Sequence, residues 1–342
     1  MEYPMSKIEG KVNPMVISAT ALRKKGEDQP ADVITGLIKE GEQILIYSAT
    51  GSYKSWLATC IWMAVANGVS VARLNNGLDK WKAPKKRKVF VLDGELGSYD
   101  LGQRINQLAP NYGEAEAWVM MRQLQGLNSS FPDIGKPDNQ DELVRNCLRE
   151  GVELLVLDNL TTLAEVIDEN SASAMKPVVS LLQKLKAAGI ATILIHHSNK
   201  SDSSYRGSTA IGTTFNAIIK LKRESLVTGG FSLTFDKARN SHIEHQALNL
   251  RLVTKDDDSL FLEADAELNK LEVMVNLVRS LDYWEDKQVM QALEVKLGEA
   301  HSQGAFSKWK RKAIVEKLIK AEEWESCLVT ALKLANAEEL RL

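Results

Sequence analysis

Lys54 and Ser55 open an apolar helical pattern directly behind a short polar loop, Ser48-Ala49-Thr50-Gly51-Ser52-Tyr53. A helix N-terminus offers unpaired N–H groups to an anion, an ammonium there reaches the outer phosphates of a nucleotide, and the adjoining hydroxyl ligates Mg²⁺. Against the phosphate-loop pattern G-x-x-x-x-G-K-[ST], the segment keeps Gly51, Lys54 and Ser55, with Ser48 and Tyr53 in the places of the two defining glycines. A left-handed backbone at position 53 costs a tyrosine about 1–2 kcal/mol, which a folded domain tolerates. Taken alone, the loop is also what a strand, a polar turn and a Lys-Ser helix start produce by chance. With the acids behind it, the expected binding segment for ATP is Ser48, Ala49, Thr50, Gly51, Ser52, Tyr53, Lys54, Ser55 and Trp56, with Mg²⁺ as the metal.

Acids at strand ends supply the rest of a phosphoryl-transfer site. Leu154-Leu155-Val156-Leu157-Asp158 is an apolar run closed by a carboxylate, which makes Asp158 the partner of Ser55 in holding Mg²⁺. Val91-Leu92-Asp93-Gly94-Glu95 ends a second run; Glu95 is placed to polarise an attacking water, with Asp93 as its rival, although a residue within the strand is expected to face the interior. His196 and His197 close a third run. No cysteine or third histidine is close in sequence, so zinc is not expected there, nor at His242 and His245.

Such residues need strands that end on one edge and helices that begin there. Ile44–Tyr47, Val89–Asp93, Leu154–Asp158 and Ile190–His196 are continuous apolar runs, and helical patterns lie at 54–67, 98–108, 139–150 and 174–188. Gly68 suits the end of the first helix. Strands without polar alternation, interleaved with helices, predict an α/β fold whose mainly parallel sheet is flanked by helices and binds ligands at the carboxyl ends of its strands. From 216 onward, short strands at Ala217–Lys222, Phe231–Phe235 and Ala247–Val253, with Gly229-Gly230 as a hairpin turn, predict an antiparallel extension at one edge. Residues 1–40 read as an irregular arm with a short helical piece, and 41–264 as the nucleotide domain. Residues 265–342 read as a small helical domain, with patterns near 268–281, 286–298, 307–320 and 327–340.

Together the phosphate loop, Gly94-Glu95, Asp158, the run Ile195-His196-His197-Ser198-Asn199-Lys200 and the run Tyr205-Arg206-Gly207-Ser208-Thr209-Ala210 resemble the RecA-like ATPases of the RepA and DnaB hexameric helicase group. The resemblance covers about residues 40 to 255. It implies Glu95 as catalytic base, His197 as γ-phosphate sensor by the Asn-Lys register, and a polar loop that turns Asn199, Lys200 and Arg206 toward single-stranded DNA. Asp236-Lys237-Ala238-Arg239-Asn240 is similar to the Lys-x-Arg segment near the end of that family's core, which implies Arg239, with Lys237 beside it, as an arginine finger for a neighbouring subunit's nucleotide. On the residues alone, the lesser alternative is a hairpin with two solvated cations. A finger acting in trans requires a homo-oligomer with head-to-tail interfaces, and closure gives a ring, which the resemblance makes hexameric. The implied setting is replication of a plasmid, phage or mobile element, with other replication proteins as partners.

At 342 residues the chain holds one large core and a smaller appended domain. A net charge of −2 gives no global attraction to nucleic acid, so any binding of that kind must come from local basic clusters. Two exist, Lys80 to Lys88 and Lys308-Trp309-Lys310-Arg311-Lys312, the latter continuing to Lys317 and Lys320. The second, with Ser307 as N-cap and Trp309, Ile314, Leu318 and Ile319 as its apolar face, resembles a winged-helix recognition helix and offers Lys310, Arg311 and Lys312 to phosphates. A solvated face or a partner-docking domain fits the same residues. No apolar run approaches the roughly 18 residues of a membrane span, the start MEYPMSKIEGK has no apolar leader, and Cys60, Cys147 and Cys327 are far apart. These features predict a cytoplasmic, reducing setting. Three functions compete: a helicase-like motor, a nucleotide-gated DNA-binding switch, and an interaction protein with an inactive loop. Glu95, His197 and Arg239 occurring together argue against the last.

Overall fold

The computed structural model describes residues 17–26, 29–74, 78–114, 117–125, 131–164, 171–199, 201–223, 229–266, 270–297, 302–315 and 318–339. In chain order the elements are α1 (Ala19–Lys25), β1 (Asp32–Ile34), β2 (Ile38–Lys39), β3 (Gln43–Ser48), α2 (Lys54–Asn67), β4 (Ser70–Leu74), β5 (Asp79–Lys82), β6 (Val89–Asp93), α3 (Ser98–Tyr112), β7 (Ala117–Met121), α4 (Pro137–Glu150) and β8 (Leu154–Asp158). They continue with α5 (Leu160–Leu163), α6 (Ala172–Ala187), β9 (Ala191–His197), β10 (Ala217–Arg223), β11 (Gly230–Ala238), β12 (Leu248–Thr254), β13 (Leu260–Ala266), α7 (Lys270–Arg279), α8 (Asp286–Leu297), α9 (Gln303–Val315) and α10 (Ala321–Glu339).

Eleven strands form one sheet in the order β5-β4-β13-β12-β11-β10-β3-β9-β8-β6-β7. From β10 to β7 every neighbouring pair is parallel, and β11 returns antiparallel against β10. A parallel sheet must be covered on both faces, and the apolar runs meet that need. Leu45, Tyr47, Leu92, Leu155, Leu157 and Leu194 share a core with residues of α4 and α6, while the alternate Ile44, Ile46, Val91, Val156, Ile193 and Ile195 are equally buried. Helix α2, apolar on nearly every side, packs against β3, β6, β8 and β9 and stops at Gly68, whose φ is 68°. Each fully buried Leu, Ile, Val or Met contributes roughly 1.5–3 kcal/mol. The chain is therefore α/β, a mainly parallel sheet flanked by helices and followed in sequence by C-terminal helices.

The chain divides into two compact units, one of residues 1–245 with 251–263, the other of 246–250 with 264–342. In the first, Val33, Ile34, Leu37 and Ile38 form the buried β1–β2 hairpin rather than the irregular arm expected before residue 41. The basic run from Lys80 is likewise not a free cationic face: it contains β5, Lys80 pairs with Glu244, and Arg87 is 4% exposed between Glu40 and Glu153. Strand β10, expected to begin the antiparallel extension, is parallel to β3, and the reversal comes one strand later.

The second unit encloses its own core of Leu271, Met274, Val278, Leu293, Phe306 and Trp324. Ser307 lies inside α9, and Ser302 does the capping, its Oγ accepting the Ala305 N–H at 3.2 Å. Among the described residues no strand follows Ala266, so nothing there forms a wing. No helix among them is long and apolar enough to cross a membrane, and all three cysteines are free thiols.

Candidate active site

Ser48 ends β3 opposite His197 of β9, and Asp158 ends β8 opposite Asp93 of β6, so all four leave the sheet along one edge. The loop from Ala49 to Tyr53 connects that edge to α2. Gly51 has φ 78°, and a Cβ there would meet nothing within 4 Å, so conformation rather than space demands glycine. Tyr53 has φ 63° and ψ 14°, the left-handed geometry for which the motif ordinarily uses its second glycine. Its ring stacks on Phe231, with centroids 5.3 Å apart and planes 16° from parallel. Such a pair contributes about 0.5–1.5 kcal/mol beyond its burial, comparable with the roughly 1–2 kcal/mol that left-handed backbone costs an L-residue. As N-cap of α2, Tyr53 makes no side-chain capping bond, which leaves the first helical amides to an anion.

Lys54 is buried, and its Nζ donates to the Ser48 and Ala49 carbonyls at 3.1 and 2.9 Å. Burial lowers its pKa, opposed by the charges of Asp158, Glu95 and Asp202. Asp158 is 4% exposed; burial first, then the Asp93 charge, push its carboxyl up to about 7, while a hydrogen bond with Ser55 pulls it down. Its Oδ1 has no hydrogen-bond partner. A buried acid with an unengaged oxygen beside a hydroxyl fits Mg²⁺, whose charge favours the ionised form that burial penalises. His242 is engaged elsewhere, its Nε2 lying 2.9 Å from Glu42 Oε2.

Glu95 is brought to this edge by its neighbours. Asp93 Oδ1 accepts the N–H groups of Glu95 and Leu96 at 2.9 and 2.8 Å, and burial raises the Asp93 pKa. The Gly94 N–H donates to the Asp158 carbonyl at 2.7 Å, where a Cβ on Gly94 would collide with the Thr162 side chain. Two turns thereby close on each other, and Asn159 fills the junction. This residue is 1% exposed; its Nδ2 donates to Glu95 Oε2 and lies 3.3 Å from His197 Nε2, while its Oδ1 accepts the Thr162 N–H at 3.2 Å. Sequence reasoning passed over Asn159, although an Asn between an apolar strand and a short helix is a capping signal. It also passed over Arg104 of α3, which lies 4.7 Å from the Trp56 ring centroid and feels the charges of Asp158, Asp93, Asp100 and Glu95. One Arg104 guanidinium nitrogen, Nη1, is buried without a hydrogen-bond partner, and burial lowers the pKa against those acids.

Lys237 and Arg239 are not part of this assembly. Because β11 runs antiparallel, Phe231 lies at the phosphate-loop end of the sheet and Ala238, opposite Ala217, at the other. Lys237 Nζ donates to the Gly212 carbonyl and Arg239 Nη2 to that of Thr213, each at 2.8 Å. Burial, then the charges of Arg239 and Lys186, depress the Lys237 pKa. Among the described residues neither cation has a carboxylate partner.

The residues expected to touch nucleic acid divide. Asn199 is used within its own loop, Oδ1 accepting the Ser203 N–H at 3.0 Å and the Ser201 hydroxyl at 3.1 Å, so its amide does not reach outward. Arg206 is exposed, with its N–H on the His197 carbonyl at 2.8 Å and its own carbonyl 2.8 Å from His196 Nε2. Lys200 lies outside the described residues. In the helical unit, Lys310 is not a free phosphate ligand: its Nζ sits 2.9 Å from Asp286, 3.1 Å from Glu325 and 4.7 Å from the Trp324 ring centroid. Arg311 and Lys312 are exposed on α9.

A buried cation at a helix N-terminus, a buried acid with one unengaged oxygen beside a hydroxyl, and an exposed carboxylate held by an amide are equipment suited to phosphoryl transfer to water. Residues 13–203 match the AAA domain model AAA_25, more than half of the chain. No curated protein matches it. Similar solved structures include a KaiC-like protein of the hyperthermophilic archaeon Pyrococcus horikoshii OT3, at 12% identity over 68% of this chain and 99% of that one, with a TM-score of 0.46. The RadB recombinase follows at 14% identity over 67% and 92%, TM-score 0.43. The flagellar accessory protein FlaH from Methanocaldococcus jannaschii is similar at 12% identity over 66% and 90%, TM-score 0.43.

Proposed function

This chain belongs to the AAA domain family, and from that premise we propose that it binds ATP with Mg²⁺ at the Lys54 loop and hydrolyses it as an oligomeric ATPase acting on single-stranded DNA. The observation that carries the reading is the convergence of Lys54, Asp158, Glu95 and His197 on one sheet edge, with Asn159 joining the last two. Lys54 and the first amides of α2 hold the phosphates, and Ser55 and Asp158 hold Mg²⁺, which neutralises phosphate charge. Glu95 accepts the proton of the attacking water, its carboxylate oriented by Asn159, and His197 meets the γ-phosphate. Arg239 and Lys237, at the far end of the sheet, serve a neighbouring subunit's nucleotide in a head-to-tail ring, hexameric as in the helicase group the chain resembles.

The favoured activity is that of a helicase-like motor in replication, with Arg206 on the DNA-facing loop. The internal use of Asn199 and Lys310 favours a second reading, a nucleotide-gated DNA-binding switch that does not unwind. The test is ATP turnover with and without single-stranded DNA in the wild type, Lys54→Ala and Glu95→Gln. Turnover stimulated by DNA and lost in both variants is expected, and no turnover at any DNA concentration overturns both readings. Strand displacement on a forked duplex then separates motor from switch.

A further inference from the structure

The phosphate loop passes twice through left-handed backbone, at Gly51 and at Tyr53. At Gly51 the conformation is intrinsic, since glycine has no Cβ to oppose it. At Tyr53 it is not: left-handed backbone costs an L-residue free energy, which a contact from outside the loop offsets. The ring of Phe231, fully buried at the start of β11, is stacked on the Tyr53 ring. The Tyr53 side chain makes no capping hydrogen bond to α2.

We infer that Phe231 is a positioning residue for the phosphate loop, acting through Tyr53 to supply the left-handed geometry that glycine supplies elsewhere in the motif. The inference rests on the phosphate-binding reading of the loop. If residue 53 relaxes toward negative φ, the N–H groups of Tyr53, Lys54 and Ser55 rotate away from a common point, and the anion site opens. The consequence is a loss in ground-state nucleotide binding, carried by a residue on a strand that no phosphate-loop motif includes.

The test is a double-mutant cycle read by titration of Mg·ATP and by steady-state turnover. Phe231→Leu in the wild type should weaken ATP binding by about two- to tenfold, the size of one aromatic stack, with a matching rise in KM and little change in kcat. In the Tyr53→Gly background, where the backbone needs no support, the same substitution should change affinity by less than about twofold. Phe231→Tyr keeps the stack and should bind ATP as the wild type does. Tyr53→Leu removes the stack from the other partner without opening a cavity in β11, should reproduce the loss, and carries the test alone should Phe231→Leu fail to fold. Equal losses from Phe231→Leu in both backgrounds, or wild-type affinity in Tyr53→Leu, overturn the inference. A wild-type chain that binds no nucleotide overturns the phosphate-site reading itself, a separate outcome.

Discussion

Replacing Asn159 separates two jobs that one side chain performs. Its Oδ1 caps α5 through the Thr162 N–H at 3.2 Å, and its Nδ2 donates to Glu95 next to His197. Asn159→Asp keeps an oxygen for the cap and removes the donor, setting a second carboxylate against Glu95. A hydrogen bond to a charged group contributes about 1.5–3 kcal/mol. If that bond orients Glu95 only for the attack on water, its loss lowers kcat by roughly 10- to 150-fold and leaves the KM for ATP nearly unchanged. Like charge also disfavours ionisation of the pair, so the pH at which activity develops should move upward. Asn159→Ala loses both jobs: the same fall in kcat, and about 0.5–2 kcal/mol of stability from the cap.

Coupled-assay ATPase kinetics across pH, with thermal melts of the same samples, distinguish these outcomes. Asn159→Asp with kcat close to that of the wild type at every pH refutes the reasoning, because the amide would then serve only the cap. A rise in KM without a fall in kcat refutes it differently, placing Asn159 in nucleotide binding rather than beside the base.

Three further outcomes are expected. Mixing Lys54→Ala with Arg239→Ala subunits should restore part of the ATPase activity if Arg239 completes a neighbour's site; activity no greater than the sum of the two separate variants rejects that. Lys310→Ala should destabilise the helical unit by about 1–2 kcal/mol, between the exposed and buried limits for an ion pair, and leave the salt dependence of DNA binding unchanged. Arg311→Ala with Lys312→Ala should do the reverse if α9 touches phosphates, reducing the salt slope by about 0.7–0.9 for each phosphate no longer neutralised. Burial raises the Asp93 pKa in the folded state, so the stability this group contributes is present at acid pH and is lost as pH rises through the folded value. Asn can still accept the Glu95 and Leu96 N–H groups, so Asp93→Asn should gain stability over the wild type from acid to neutral pH in Mg²⁺-free melts; a pH-independent difference refutes the burial argument.

The central strands were legible because burial on both faces forces a continuous apolar run, a signal contained in a few adjacent residues. The edges were not. In β7 burial alternates, but the exposed positions Trp118 and Met120 are apolar too, so Ala117–Met121 shows no polar alternation in its sequence. Arg87 sits in a run of cations that reads as surface, yet its partners Glu40 and Glu153 are distant in sequence, and nothing local marks it as buried. The chemistry divided in the same way. Lys54, Ser55, Asp158 and Glu95 follow from their own strands and helices, whereas Asn159 and Arg104 matter through what the folded sheet sets beside them. Lys310 failed as a surface cation for the reason Arg87 did, its acids being supplied by α8 and α10.

Charge at the two ends of the sheet bears on the proposed head-to-tail assembly. At the phosphate-loop end, Asp93, Glu95 and Asp158 surround Lys54 and Arg104, a balance in which Asp158 is already driven toward protonation by burial and by Asp93. At the far end Lys237 feels the charges of Arg239 and Lys186, and Lys237 and Arg239 rest on neutral carbonyls. Cations held together without acids are raised in energy unless an anion faces them. Within one copy β11 carries Phe231 to the phosphate loop and Lys237 to the opposite end, so the same strand that supports the loop points its cations away from it. In the proposed assembly a head-to-tail neighbour bearing nucleotide would present the phosphate charge those cations lack, which is why partial recovery in the mixing experiment, rather than loss of activity in Arg239→Ala alone, is the informative result.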